Sequence, residues 1–405
     1  QRKIMHGTVE LAYHEVFSGL VKSEYYYQHN HFEATGFIPY NPLSPVKTNK
    51  LNLFTGFKWD VDKSIVDNKS ILYDYFFENF AEEKEAKYAL DWLTMCVQNP
   101  KMRQTVLILY SEEQGTGKST LQDIIVRLFD KYTLESKDMQ KDLFGRFNSH
   151  LANKLIISCN EVASSNGGQR VSISQNEKFK SLITDNTLVV EDKGVNAYQI
   201  DFYAKFIISC NYVDAIRATK DCRRFSILDF GAKNKGNQKY FNKIREAIND
   251  DDQIKLLFNK LLFRDISDYN PSQPITTTAV TQEAYGASLP LAYKALLHIV
   301  RDKSMTAMAQ NNTENKINFD AGTFRMKLTS LHAIYSEFTG HSHTQVPALF
   351  AKTLNKLKLP DGTPVVKSTT INGRAYKYFE RDAVIEGVRH HMGDCSDEML
   401  DSLAE

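Results

Sequence analysis

The period of the apolar positions changes several times along the chain. In EKEAKYALDWLTMCVQ, residues 83–98, Ala86, Ala89, Leu90 and Leu93 fall at i, i+3, i+4 and i+7, the spacing that lines one face of a helix. With SILYDYFFENF before it, this predicts two helices over 70–98, and Pro100 stops the second. From 105 to 230 the pattern shortens into the apolar runs TVLILY, KLIISCN, KFIISCN and RFSILDF. Continuous runs of this kind predict strands buried on both faces, as in a parallel α/β sheet. Residues 236–263 return to helix, and YNPSQPITTTAVTQ reads as a linker.

Beyond it the pattern predicts helices at 290–302, 322–338 and 345–357. The strand-like runs TPVVKSTT and RAYKYF then flank Asn372-Gly373, a pair favoured in two-residue hairpin turns. Helix, helix, hairpin is the order of a winged helix. At the other end, LNLFTGF predicts a short strand, and residues 1–69 carry no functional signature. His29 and His31 read as surface residues, since no third ligand is near them in the sequence.

Composition narrows the classes. Of 405 residues, 42% are hydrophobic and 24% charged, a globular balance; with a net charge of +1, a nucleic acid would have to be met by local patches. No apolar run approaches the ~18 residues of a membrane span, and no signal peptide opens the chain. An intracellular protein off the membrane is expected. The first residue is Gln1 and the first Met is Met5, which suggests a piece of a longer polypeptide. Cys96, Cys159, Cys210, Cys222 and Cys395 show no C-x-x-C spacing; Cys159 and Cys210 sit in apolar runs and read as small buried hydrophobes of a reducing compartment.

Candidate chemistry centres on YSEEQGTGKSTL, Tyr110–Leu121. A strand runs into a glycine-containing loop and on into an amphipathic helix, the context of a phosphate loop. Gln114, Gly115, Thr116, Gly117, Lys118, Ser119 and Thr120 would surround the phosphates of ATP. Gly115 and Gly117 let backbone N–H groups close on an anion, Lys118 reaches the β- and γ-phosphates, and Ser119 holds Mg²⁺. Where the full pattern has its first glycine, this chain has Glu112.

KLIISCNEV then resembles a metal-binding strand whose two terminal acids are here Asn160 and Glu161. Glu161 keeps the role of polarising the attacking water, while Asn160 brings no charge, so the metal leans more on Ser119 and the phosphates. KFIISCN ends in Asn211, suited to orienting that water. In DCRRFSILDF, Arg224, with Arg223 second to it, suits either a finger reaching a neighbouring subunit or a surface pair with Asp221. Between these runs, TLVVE and AYQID flank Lys193-Gly194, a hairpin tip able to grip a phosphate or an ordinary exposed turn. Tyr198 on the second arm suits base stacking or packing. From Lys352 to Arg389 there are eight Lys/Arg against four Asp/Glu, a net of +4. Lys352, Lys356, Lys367, Arg374 and Lys377 fit a DNA backbone, though winged helices also bind proteins.

EEQGTGKST, LIISCNE, FIISCN and RRF, in this order and at these intervals, resemble the superfamily 3 helicases of the AAA+ class. The poxvirus-type and phage primase-helicases are the nearest in look. The resemblance covers roughly residues 50–265, and the last hundred only by architecture. It implies an AAA+ core over 105–265 behind a collar-like helical subdomain, 70–104, with a linker at 266–286 and a winged-helix-like domain at 287–405. It further implies ATP and Mg²⁺ at the interfaces of a homo-hexamer, 3′-to-5′ translocation on single-stranded and forked DNA, a primase or polymerase upstream, and a hairpin pointing into the ring channel. Lys118 and Ser119, Glu161, Asn211 and Arg224 match the family's functional residues. Competing readings are an ATPase that remodels RNA or a packaging substrate, and a nucleotide-binding scaffold in which Asn160 marks weakened hydrolysis.

Overall fold

The computed structural model describes residues 3–6, 9–12, 34–159, 173–211, 224–275, 278–302, 314–340, 345–393 and 395–404. The backbones of β1 (Lys3–His6) and β2 (Val9–Ala12) pair antiparallel. β3 (Ala34–Gly36) and β4 (Lys50–Asn52) pair parallel. LNLFTGF is thus strand only to Asn52. There the side-chain amide takes over the pairing: Nδ2 donates to Ile38 O at 2.8 Å, and Oδ1 accepts from Ile38 N and Phe54 N. The bend drives Phe37 and Phe54 against Tyr132, so residues 34–69 wrap the core.

Two helices follow, α1 (Ile71–Asn79) and α2 (Glu83–Gln98). Ser70 caps the first, and Glu82 with Glu85 forms a capping box on the second. β5 (Val106–Tyr110) leads through a loop into α3 (Lys118–Phe129). Then come β6 (Thr133–Ser136), α4 (Met139–Phe144), β7 (Ile156–Cys159) and α5 (Ile173–Thr184). An antiparallel hairpin, β8 (Thr187–Asp192) and β9 (Val195–Asp201), precedes β10 (Lys205–Cys210) and β11 (Phe225–Asp229). The four apolar runs of the sequence are four of the five strands of one sheet, ordered β11-β5-β10-β7-β6 with every pair parallel. The fifth, β6, is an edge strand with three of its four residues partly open to solvent, and TLES carries no apolar run to announce it.

Both faces of the sheet are covered. Leu107 and Leu109 point into one core with α1, α2, α3 and the helices α6 (Gln238–Asn249) and α7 (Asp251–Leu262). Val106, Ile108 and Tyr110 point into another, which continues into the C-terminal half. The bridge between halves is α8 (Ala279–Ala287), which packs on β11. The stretch 266–286, expected as a linker, is therefore helical in its last part. Its N-cap Thr278 and Thr281 reach Ile227 O, each at 3.4 Å, and Val280, Ala284 and Tyr285 are buried.

The C-terminal half holds α9 (Leu291–Arg301), β12 (Lys316–Asn318), β13 (Thr323–Lys327), α10 (Leu328–Phe338), α11 (Pro347–Leu354), β14 (Lys367–Ile371), β15 (Arg374–Glu380), α12 (Arg381–Met392) and α13 (Asp397–Ala404). Residues 323–327, expected as helix, are a strand: Phe324 and Met326 alternate inward in an antiparallel sheet ordered β12-β13-β15-β14. Asn372 and Gly373 turn the β14–β15 hairpin with φ of 48° and 74°, the left-handed conformation these two residues tolerate. Among the described residues Cys96, Cys159, Cys210 and Cys395 are buried cysteines outside any disulfide, and no helix is long and apolar enough to cross a membrane.

Candidate nucleotide site

The loop 111–117 leaves the C-terminal end of β5 and ends in the first turn of α3. Gly115 (φ 73°) and Gly117 (φ 110°) take left-handed conformations. Gly117 also has no room for a side chain: an added Cβ would lie 2.4 Å from Tyr75 Oη and 2.8 Å from Phe241 Cε1. The Tyr75 hydroxyl donates to Gly117 O at 2.8 Å and is hydrogen-bonded by Thr120, which ties α1 to the loop. Gln114, Glu112, Glu113 and Ser119 are exposed, and Glu113 pairs with Lys235 at 2.6 Å. Thr116 is buried, its Oγ1 without a hydrogen-bond partner among the described residues.

Lys118 is the buried cation of the site. Its Nζ donates to Ser111 O (3.1 Å), Glu113 O (3.3 Å) and Asn211 Oδ1 (2.7 Å). Strand register brings Asn211 there: β10 lies beside β5 with Cys210 opposite Tyr110, so the next residue of each strand meets at the loop. β11 flanks β5 on its other side and ends in Asp229, opposite Tyr110. Burial raises the Asp229 carboxyl, Glu82 raises it further, and Lys118 draws it down. Glu85, buried behind it, accepts from Asp229 N (2.9 Å) and Glu82 N (3.1 Å), yet burial outweighs those bonds and pushes its carboxyl up to about 7. The sequence reading passed over Tyr75, Glu85 and Asp229. Asp229 carried a usable signal, since it closes an apolar strand as Asn211 does.

These residues fit a nucleotide's phosphates: two left-handed glycines, a helix N-terminus, a buried ammonium and an unpartnered hydroxyl converge on one loop. The metal is less well provided for. Ser119 sits at the first turn of α3, while Asn160 and Glu161 lie outside the described residues, as does Arg223. Among the described residues no group of three or more His, Cys, Asp or Glu could hold a metal ion.

Other singled-out residues lie elsewhere. Arg224 directly precedes β11, at the opposite end of the sheet from the loop, and its carbonyl accepts Val106 N at 2.7 Å. Lys193 and Gly194 (φ 80°) form the exposed tip of the β8–β9 hairpin, with Tyr198 47% exposed on one arm. Asn148 braces the hairpin, donating to Val189 O and accepting from Glu191 N. In the C-terminal half Lys352, Lys356 and Lys367 are exposed, and exposed Arg374 pairs with Glu314. Lys377 departs from the DNA-facing expectation. It is 4% exposed and donates to Asn355 Oδ1 (2.8 Å) and Ser368 Oγ (2.7 Å), because the two-residue period of β15 puts it on the same face as buried Phe379.

Fold and site together define a phosphate-loop arrangement on a parallel α/β sheet. Residues 109–224, from the strand before the loop to Arg224, match the model of a family of unknown function (DUF5906). A DNA primase-polymerase of Nitratiruptor phage NrS-1 is 30% identical over 158 residues, 39% of this chain and 21% of that protein, so the match spans about a fifth of the relative. An apo structure of the NrS-1 C-terminal region (305–718) shares the fold at a TM-score of 0.62 and 17% identity, covering 93% of each chain; the A form of that region gives 0.60 over the same shares. The chain thus resembles a phage DNA primase-polymerase in sequence over those 158 residues, and the C-terminal region of NrS-1 in fold.

Proposed function

We propose that the chain is an ATP-dependent DNA helicase module of a phage, viral or mobile-element replication protein, working as a ring, usually a hexamer, on single-stranded DNA with a primase or polymerase upstream. The carrying observation is the bond from Lys118 Nζ to Asn211 Oδ1 at 2.7 Å, which joins the phosphate loop to the end of the neighbouring strand. ATP supplies the phosphoanhydride whose hydrolysis drives motion, with Mg²⁺ screening its phosphates. In this reading Lys118 contacts the β- and γ-phosphates, Ser119 the metal, Asn211 orients the attacking water, and Glu161 polarises it with Asn160 beside it. Arg224 serves the nucleotide of a neighbouring subunit. The 105–265 unit is then an AAA+ core, and the C-terminal half is a winged-helix-like domain offering Lys352, Lys356 and Arg374 to a DNA backbone. Translocation 3′ to 5′ follows from the resemblance to superfamily 3 helicases.

The test is ATP turnover with and without single-stranded DNA, beside unwinding of a forked duplex. Stimulated turnover and unwinding are expected, and Lys118→Ala should lower turnover at least about a hundredfold while leaving the fold intact. Stimulation by RNA alone would replace this reading with RNA remodelling; Mg-ATP bound without turnover would leave a scaffold.

A further inference from the structure

A cavity of about 550 Å³ lies between the β3–β4 pair, the turn before β7 and the β8–β9 hairpin. Across the hairpin Tyr198 stands opposite Val190 and Ile200 opposite Leu188, so both belong to the face on which Leu188 and Val190 are buried. Tyr198 is nevertheless 47% exposed, because it borders the cavity. Ile200 lines it as well. The Phe37 ring, fixed by Phe54, Tyr132 and Tyr203, and the half-exposed Leu53 add to the apolar lining.

The lining is sparse in charge. Lys50, exposed on β4, is the one cation among the lining residues and Asp201 the one carboxylate, and Asp201 interacts with the Tyr203 hydroxyl. Asn153, exposed and held at a φ of 60°, adds a carboxamide. Apolar walls, one aromatic face and a few polar groups around this volume are the make-up of a small-molecule site. A tyrosine face takes a flat ring, a carboxamide offers a donor and an acceptor to a ring edge, and an ammonium takes a phosphate as a point charge. A nucleotide presents all three.

We propose that this cavity binds one nucleotide unit, its base on Tyr198 and its phosphate on Lys50, either as a free mononucleotide or as one residue of a single strand. The site is separate from the phosphate loop. Asn153 comes before β7 and Asp201 before β10, at the end of the parallel sheet away from Lys118 and Asn211. Residues 34–53 thereby gain a role, since they bring Phe37, Lys50 and Leu53 to the hairpin. Binding here requires neither ATP hydrolysis nor a ring.

The experiment uses the full Lys118→Ala chain, whose own loop is disabled, and follows the fluorescence of 2-aminopurine, which stacking quenches. The probes are its riboside, its 5′-monophosphate and a short single strand that carries it. Quenching of the monophosphate marks a free nucleotide as the ligand, and quenching of the strand alone marks a strand residue. In either case Tyr198→Ala should weaken binding about tenfold or more, while Tyr198→Phe, which keeps the ring, should preserve it. Lys50→Ala should weaken the phosphate-bearing probe about fivefold, with no change for the riboside. Gly36→Leu tests the space without touching Tyr198: an added Cβ would meet Lys50 Cδ at 3.4 Å, an ordinary contact, so the side chain is accommodated beside the Lys50 stem and a similar loss is expected. Quenching that is absent with every probe, or that Tyr198→Ala and Gly36→Leu leave unmoved, overturns the proposal. So does equal competition by an abasic strand, which would mean that phosphate alone is bound. A wild-type chain that hydrolyses no ATP yet shows these binding losses would sink the helicase reading and keep this site.

Discussion

Glu85 shows how a single carboxyl behind the site senses pH. Its hydrogen bonds to two backbone N–H groups favour ionisation, but burial wins and its carboxyl stands at about 7 against an ordinary 4.5. An acid raised on folding contributes its full stability below about pH 4.5 and loses it as pH climbs through 7. Between pH 5.5 and 8 the protein should lose about 1–2 kcal/mol through this group. Glu85→Gln keeps an acceptor oxygen and cannot ionise, so its denaturation midpoint should fall less over the same interval. Equal slopes for variant and wild type would show that Glu85 does not titrate there.

Two lysines separate what elements do with the same side chain. Lys193 stands exposed at a hairpin tip, and Lys377 is turned inward from a strand. Lys193→Ala should reduce the salt slope of single-stranded DNA binding by about 0.7, the yield of one phosphate contact. Lys377→Ala should leave that slope unchanged and cost about 1–3 kcal/mol in chemical denaturation, by deleting the two hydrogen bonds that the buried ammonium makes to Asn355 and Ser368. An unchanged slope in the first, or a changed one in the second, would reverse the assignment. The same contrast explains what the sequence disclosed. Apolar runs buried on both faces name their strands, and the loop with its left-handed glycines follows from local chemistry. The direction of Lys377 depends on the register between β14 and β15, which no local pattern states. β6 is an edge strand with little to bury, β13 was absorbed into the helix after it, and the Thr-rich start of α8 looks polar because Thr278 and Thr281 spend their hydroxyls on Ile227 O.

At the scale of the molecule, the parallel sheet holds its two candidate functional ends apart. Lys118 and Asn211 sit past the C-terminal ends of β5 and β10, and Arg224 sits before β11, roughly 16 Å of strand away at about 3.3 Å per residue. One copy cannot bring Arg224 to its own loop. Mixing Arg224→Ala with Lys118→Ala chains should therefore restore part of the ATP turnover that each lacks alone, because some interfaces then pair an intact loop with an intact arginine. Mixing Lys118→Ala with Glu161→Gln, both acting within one subunit's site, should restore none. Turnover across mixing ratios checks this, and no rescue in assemblies shown to exchange subunits would leave Arg224 a structural role.

The sheet is also a party wall. Val106, Ile108, Phe225 and Ile227 belong to the same apolar cluster as Val280, Ala284 and Tyr285 of α8, and that cluster runs on to Phe324 and Val388. A deletion ending near 265 would strip this covering and leave a contiguous greasy stripe on the half that carries the parallel sheet, the kind of surface that makes a truncated protein self-associate. Trimming the C-terminal half away to isolate the sheet-bearing half should thus yield aggregates, whereas a single protease nick between 263 and 278 should leave both pieces bound to each other.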